Sequence, residues 1–171
     1  HVCENYVHHF DTVDQRNLLF VGPPGTGKTY LMACVANALL EQGRSVLYVT
    51  APGLFEIMSN YRTLLASYHP DEVRLEQATA LQDLVHHAEL LLVDDLGTEH
   101  SAAGRYADLL NVIDHRAGSG LHTMISSNAD PQGLRDVYDE RLTSRLVGSF
   151  AIYRFFGNDV RLEMNRRRRG A

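Results

Sequence analysis

The stretch Asn17-Leu18-Leu19-Phe20-Val21-Gly22-Pro23-Pro24-Gly25-Thr26-Gly27-Lys28-Thr29 decides the fold. An apolar strand runs into the pattern G-x-x-x-x-G-K-[ST], and residues Lys28 to Gln42 then read as a helix closed by Gly43. The glycines let the backbone wrap so that successive N–H groups face an anion at the positive end of the following helix. In such a loop the lysine reaches the β- and γ-phosphates, and the hydroxyl after it meets a magnesium ion that keeps most of its waters. Lys28 is the only lysine in the chain. The pattern predicts that Gly22, Pro23, Pro24, Gly25, Thr26, Gly27, Lys28, Thr29 and Tyr30 bind ATP or ADP and that Thr29 holds Mg2+. Lys28 is expected to be solvated beside the phosphates and not part of the core.

The 171 residues are enough for one domain with a substantial core. A formal net charge of −5 argues against a surface that coats nucleic acid, so any such contact must be local. Cys3 and Cys34 form no disulfide framework, and Cys34, on the helix after the loop, is expected as a small buried thiol. With no apolar run of membrane-spanning length and no signal peptide, the expected setting is the cytoplasm, with no membrane partner. The chain opens at His1 and reads as a fragment: residues 1–16 as an N-terminal linker or helix, 17–161 as the domain, 162–171 as a basic tail.

Strand-like runs alternate with amphipathic stretches, the pattern of a parallel sheet between helices. Further strands are expected at Ser45–Thr50, Leu90–Val93, Thr123–Ser127 and Ser149–Phe155, with a helix from about Ala102 to Arg116. Residues 51–89 are longer than one crossover needs, and they read as two helices, Gly53–Tyr68 and Asp71–His87, broken at Pro70.

Leu90-Leu91-Leu92-Val93-Asp94-Asp95 ends an apolar strand in two carboxylates, at the end of the sheet where ligands of such folds bind. Asp94 would hold magnesium through its water, and Asp95 would orient or deprotonate the attacking water. The bland alternative is that the pair caps the next helix. Asn128 ends the fourth strand, expected beside the loop strand, with its amide within reach of the γ-phosphate or the attacking water. Arg141 and Arg145 lie four apart on one helical face. They either pair with Asp139 and Glu140 or offer a guanidinium to the γ-phosphate of a neighbouring subunit.

Together these elements resemble the AAA+ ATPases. The wording Asn-Leu-Leu-Phe-x-Gly-Pro-Pro-Gly-Thr-Gly-Lys-Thr, Val-Asp-Asp-Leu-Gly-Thr-Glu, Ser-Ser-Asn, Glu-Arg-Leu-Thr-Ser-Arg-Leu and Phe-Gly-Asn-Asp-Val-Arg is similar to bacterial replicative helicase loaders of the DnaC/DnaI type, over residues 17 to 161. The resemblance implies a P-loop NTPase fold with a five-stranded parallel sheet, the sensor 1 role for Asn128, the arginine finger for Arg145 or its neighbour Arg141, and sensor 2 for Arg161. It further implies slow ATP hydrolysis, head-to-tail self-association, delivery of a hexameric helicase onto single-stranded DNA, and a helicase-binding segment N-terminal to this chain. Two departures stand out: few residues follow Phe156, so a helical lid is reduced or absent, and the pair is Asp-Asp where many relatives carry Asp-Glu.

His8-His9 and His86-His87 cannot chelate jointly, since helical neighbours point about 100° apart. Arg166–Arg169 reads as a solvated tail. On the first inserted helix Phe55 fits a core stripe, and Tyr61 and Arg62 are the residues suited to stack on bases and neutralise phosphate. Rival readings are an IstB-like transposition helper and a nucleotide-binding switch with little hydrolysis. A small-molecule kinase lacks a legible lid or acceptor pocket.

Overall fold

A computed structural model describes residues 1–97 and 105–160 of the chain. Chain order is α1 (Val2–His8), β1 (Asn17–Val21), α2 (Lys28–Glu41), β2 (Val46–Thr50), α3 (Ala51–Leu65), α4 (Glu72–His87), β3 (Leu90–Leu96), α5 (Arg105–Gly118), β4 (His122–Ser127), α6 (Pro131–Val137), α7 (Glu140–Ser149) and β5 (Ala151–Arg154). The strands form one parallel sheet in the order β2-β3-β4-β1-β5. Because β1 and β3 are buried on both faces, Leu18–Val21 and Leu90–Val93 are continuous apolar runs without alternation. Successive side chains still part to opposite layers. Leu19, Val21, Leu91, Val93 and Ile125 meet residues of α3, α5 and α7 on one face, while Leu18, Phe20, Leu90, Leu92 and Met124 meet α1 and α2 on the other. Among the described residues no helix is long and apolar enough to cross a membrane.

The expected elements are all found, with shifts that local chemistry explains. The first inserted helix begins at Ala51, ahead of Gly53, because Thr50 accepts the Gly53 N–H at 3.2 Å and Pro52 fits the first turn. The second begins after Asp71, which accepts the Arg74 N–H at 3.1 Å. Gly43 closes α2 in a left-handed conformation, φ 79°. Cys34 corrects an expectation: Lys28, Met32, Val35, Ala36 and Leu39 occupy the buried face of α2, and the helical period turns Cys34 outward, where it is exposed. Residues 98–104 and 161–171 lie outside the described residues, and with them Arg161, the basic tail and the C-terminal region where a lid was considered.

At the amino ends of β3 and β4 the layers are joined by buried polar groups. The wholly buried Arg116 guanidinium donates to the carbonyls of Val85, Ala88 and His122 and to Thr123 Oγ1, over 2.6–3.1 Å. Tyr6 hydroxyl bonds His122 Nδ1 at 2.9 Å, and Phe10 stacks on the same imidazole with centroids 3.9 Å apart. Burial, reinforced by the Arg16 and Arg116 cations, lowers the His122 pKa to about 4. His122 is therefore neutral in the fold at neutral pH, whereas an unfolded chain protonates it near 6.5. Below that value the unfolded state binds more protons, so stability falls as pH drops from 6.5 toward 4. An NMR titration should place the His122 midpoint near 4, with a melting temperature that declines through this window; a midpoint near 6.5 would contradict the packing.

Candidate active site

The site lies at the carboxyl ends of β1, β3 and β4. Gly25 and Gly27 take φ values of 73° and 95°, which only glycine adopts without strain, and they turn the chain into the N-terminus of α2. A Cβ at Gly25 would overlap the Asp159 carboxylate, and the Val160 N–H donates to Gly25 carbonyl at 3.1 Å. The segment after β5 thus lies along the loop. A cleft of about 690 Å³ opens between them, lined by Gly25, Lys28, Thr29, Tyr30, Asp95 and Asn128, with Ala33 and Val160 on its rim. This volume is in the range of nucleotide-sized pockets.

Lys28 is buried, 5% exposed, which corrects the expectation of a solvated side chain. Its Nζ turns back to donate to the carbonyls of Gly22 at 2.7 Å and Pro23 at 2.8 Å and to Asn128 Oδ1 at 2.9 Å. Asn128 is there because β4 pairs with β1, Ser127 opposite Val21, so the next residue stands beside the loop. Its Nδ2 reaches toward Asp95 Oδ1 at 3.4 Å.

The two carboxylates are separated by a bulge. Val93 pairs with Ile125 and Leu96 with Ser127, so Asp94 and Asp95 together oppose Ser126. Asp95 accordingly takes a left-handed φ of 58°, the one non-glycine residue with positive φ among the described residues. Short polar side chains tolerate that conformation better than other residue types do. The turn directs Asp94 into the sheet and Asp95 into the cleft. Asp94 is 3% exposed, yet it accepts hydrogen bonds from Ser126 Oγ, from Tyr48 hydroxyl and from the Asp95 N–H at 3.1 Å, with the Thr29 hydroxyl beside it. Burial works against its charged form, but these hydrogen bonds outweigh it and hold the carboxyl below the usual carboxylate range.

The Thr29 hydroxyl lies beside Asp94 and helps to lower its pKa. A threonine hydroxyl can donate to the carboxylate while a lone pair faces a cation, and hard oxygen ligands of this kind suit magnesium. The pair fits the expected metal site.

Other expected residues are not brought to this cleft. Arg141 and Arg145 line a separate groove on α7 with Leu110, Asp114, Glu140 and Ser144. Arg145 Nε pairs with Asp114 Oδ1 at 2.7 Å, whereas Asp139 caps α7 through the Leu142 N–H at 2.9 Å. On α3, Phe55 is core, Tyr61 is half-buried, and the exposed Arg62 is ion-paired to Asp108. Sequence reasoning missed Tyr48 and Ser126 on Asp94, and Val160 and Asp159 over the loop.

A parallel sheet in this order, with a phosphate loop after β1, two carboxylates on β3 and an asparagine after β4, defines the P-loop ATPase fold of the AAA+ class. A family profile described as IstB-like ATP binding protein matches residues 7–151. The replicative helicase loader DnaC of Buchnera aphidicola subsp. Baizongia pistaciae is 31% identical over 144 residues, 84% of this chain and 54% of that protein. DnaC of Escherichia coli K12 is 29% identical over 84% of this chain and 55% of its own length. The chain therefore spans about half the length of these relatives. A crystal structure of the DnaC helicase loader superposes with a TM-score of 0.74 at 20% identity, covering 91% of this chain and 86% of that one. A replication initiator DnaA bound to AMPPCP and single-stranded DNA gives 0.74 at 18% identity, over 92% and 45%. The chain belongs to the IstB-like ATP-binding protein family.

Since the buried Lys28 Nζ donates to the Gly22 and Pro23 carbonyls and to Asn128, Lys28→Ala should lower the stability of the nucleotide-free domain by about 1–3 kcal/mol. Thermal melting without nucleotide checks this; an unchanged melting temperature would mean that water replaces the ammonium without cost.

Proposed function

We propose that this domain binds ATP with magnesium, hydrolyses it slowly, and serves as the ATPase of a bacterial replicative helicase loader. The observation that carries the reading is the cleft where Lys28, Thr29, Asp95 and Asn128 converge, with the buried Asp94 carboxylate beside Thr29. The relatives bearing the loader name support the biological setting. A transposition helper remains the second reading, favoured by the IstB-like description of the family. Pull-down with the full-length protein separates the two by recovering a hexameric helicase or a transposase.

Each residue has a task that its geometry allows. Lys28 exchanges its two carbonyl partners for β- and γ-phosphate oxygens, staying next to Asn128. Thr29 and Asp94, which lie side by side, would hold the cation through their oxygens. Magnesium held there would offset the negative charge that develops on the phosphates. Asp95, aimed into the cleft by its left-handed backbone, orients the attacking water and takes its proton, and the Asn128 amide steadies both. Tyr30 lies exposed on the cleft wall and is proposed to contact the nucleotide. Arg161 is proposed as sensor 2.

Asp95→Asn should keep magnesium-dependent ATP binding and lose turnover by roughly 10²–10⁴, whereas Asp94→Asn should weaken the magnesium dependence itself. Equal turnover in Asp95→Asn and the parent would leave a binding switch without catalysis.

Arg145 lies outside its own cleft, so we assign it to a neighbouring copy in head-to-tail assembly, with Arg141 as the alternative. A fully engaged finger is worth ~10³–10⁵ in rate. Single-stranded DNA is proposed to contact the inserted hairpin through Tyr61, with Arg62 joining only by leaving Asp108. Mixing Lys28→Ala with Arg145→Ala, each inactive alone, in ATP and single-stranded DNA should restore hydrolysis, because Arg145 of the first completes the intact loop of the second. Absence of recovery from two folded, associating variants would move the finger to Arg141.

A further inference from the structure

A carboxylate offers about four lone-pair directions, and at Asp94 protein donors use three: Ser126 Oγ and the Asp95 N–H on Oδ1, and Tyr48 hydroxyl on Oδ2. Two of these donors come from β4 and from β3 itself, strands whose carboxyl ends form the site. Tyr48 comes from elsewhere. It stands on β2, at the edge of the sheet, and is not among the described residues that line the cleft.

Its reach follows from register. Thr50 pairs with Asp94 and Tyr48 with Leu92, so Tyr48 lies two residues short of the carboxylate on the same face of the sheet. Two residues of strand are about 6.6 Å, the span that a phenol ring covers and a serine or threonine does not. The neighbours Leu47 and Val49 point to the opposite face and pack on its core. Tyr48 itself is 39% exposed, so packing alone does not demand an aromatic ring with a hydroxyl at its tip.

We propose that Tyr48 is a positioning residue for the magnesium site, fixing Asp94 through Oδ2 as Ser126 fixes it through Oδ1. The proposal rests on the reading that magnesium-nucleotide binds between Thr29 and Asp94. Magnesium demands near-ideal octahedral geometry and sheds water reluctantly, so a carboxylate that serves it through bound water must keep one orientation. Held at both oxygens, Asp94 cannot rotate about its terminal torsion. With Tyr48 replaced by phenylalanine it keeps Ser126 and the Asp95 N–H on Oδ1 but loses the restraint on the β2 side. Partners that orient ligands in this way typically contribute 10–100-fold to metal affinity, and the half-exposed setting of Tyr48 places it at the lower end, about tenfold.

The test uses the full chain and its Tyr48→Phe and Ser126→Ala variants. Nucleotide affinity is measured by calorimetry in EDTA and in magnesium, and Mn2+ binding to the ADP complex is followed by electron paramagnetic resonance. Tyr48→Phe should bind ADP in EDTA like the parent, fold with the same melting temperature, and lose about tenfold of Mn2+ affinity. The double variant should lose less than the sum of the single losses, since both hydroxyls act on one carboxylate. Unchanged Mn2+ affinity overturns the proposal, as does an equal loss in EDTA and in metal, which would make the ring a packing element. Additive losses overturn it too. A parent that binds nucleotide but shows no gain with metal overturns the magnesium site and this role together, while a parent that binds no nucleotide at all overturns the functional reading.

Discussion

A carboxylate taken out of water at the end of an apolar strand must be given hydrogen bonds, and the arrangement of the site follows from that requirement at Asp94. An uncompensated buried carboxylate would shift its pKa upward and neutralise. Here three strands supply hydrogen bonds that prevent it. Ser126 is the hinge of the arrangement, because its Oγ donates to Asp94 while accepting the Asp95 N–H at 3.0 Å. That second bond is possible only with the bulge, and the bulge is what turns Asp95 out toward the cleft. Two adjacent aspartates thereby acquire opposite environments, one buried and restrained, one facing the ligand space, without any insertion in the sequence.

The two ends of the sheet divide the work. At the amino ends of β3 and β4, Arg116 gathers carbonyls from α4, the loop before β3 and the start of β4, and Tyr6, Phe10 and His122 bind the N-terminal segment to the same edge. Burial lowers the Arg116 pKa to about 10, still far above neutrality, so the clasp stays charged. These groups are bonded to buried partners within the fold. At the carboxyl ends the polar groups are also bonded, but around a cavity, and with partners such as loop carbonyls that a phosphate can replace. Stability is concentrated at one end, and exchangeable contacts at the other.

The fold was legible because its signals are local. Glycine spacing, apolar runs and terminal carboxylates each specify an element within a few residues, and the parallel register then carries Asn128 to the loop as expected. What stayed hidden depends on pairing between distant segments. Tyr48 and Asp94 are 46 residues apart, as are Arg62 and Asp108, and no periodicity announces either pair. Cys34 failed for a finer reason: being on a helix that packs on the sheet says little until the helical phase is fixed, and Lys28, Met32, Val35 and Leu39 fix it the other way. Lys28 failed because a lysine expected to meet phosphate also has carbonyls of its own loop within reach.

The same contrast bears on Arg145. Its pair with Asp114 joins two half-exposed side chains, and pairs of that kind contribute about 0–1 kcal/mol, since water solvates either partner well when separate. Such a contact orders a guanidinium without committing it. A phosphate offers two parallel acceptors and more charge, so a bidentate contact with it exceeds a single Nε to carboxylate bond. Asp114 therefore keeps the long side chain on the α5 side of the groove, in one region of its rotamer space, while leaving transfer to a stronger anion nearly free of penalty. An arginine tied as Arg116 is, to several buried carbonyls, could not be lent to another subunit; one tied as Arg145 is can be, and the difference is burial, not residue type.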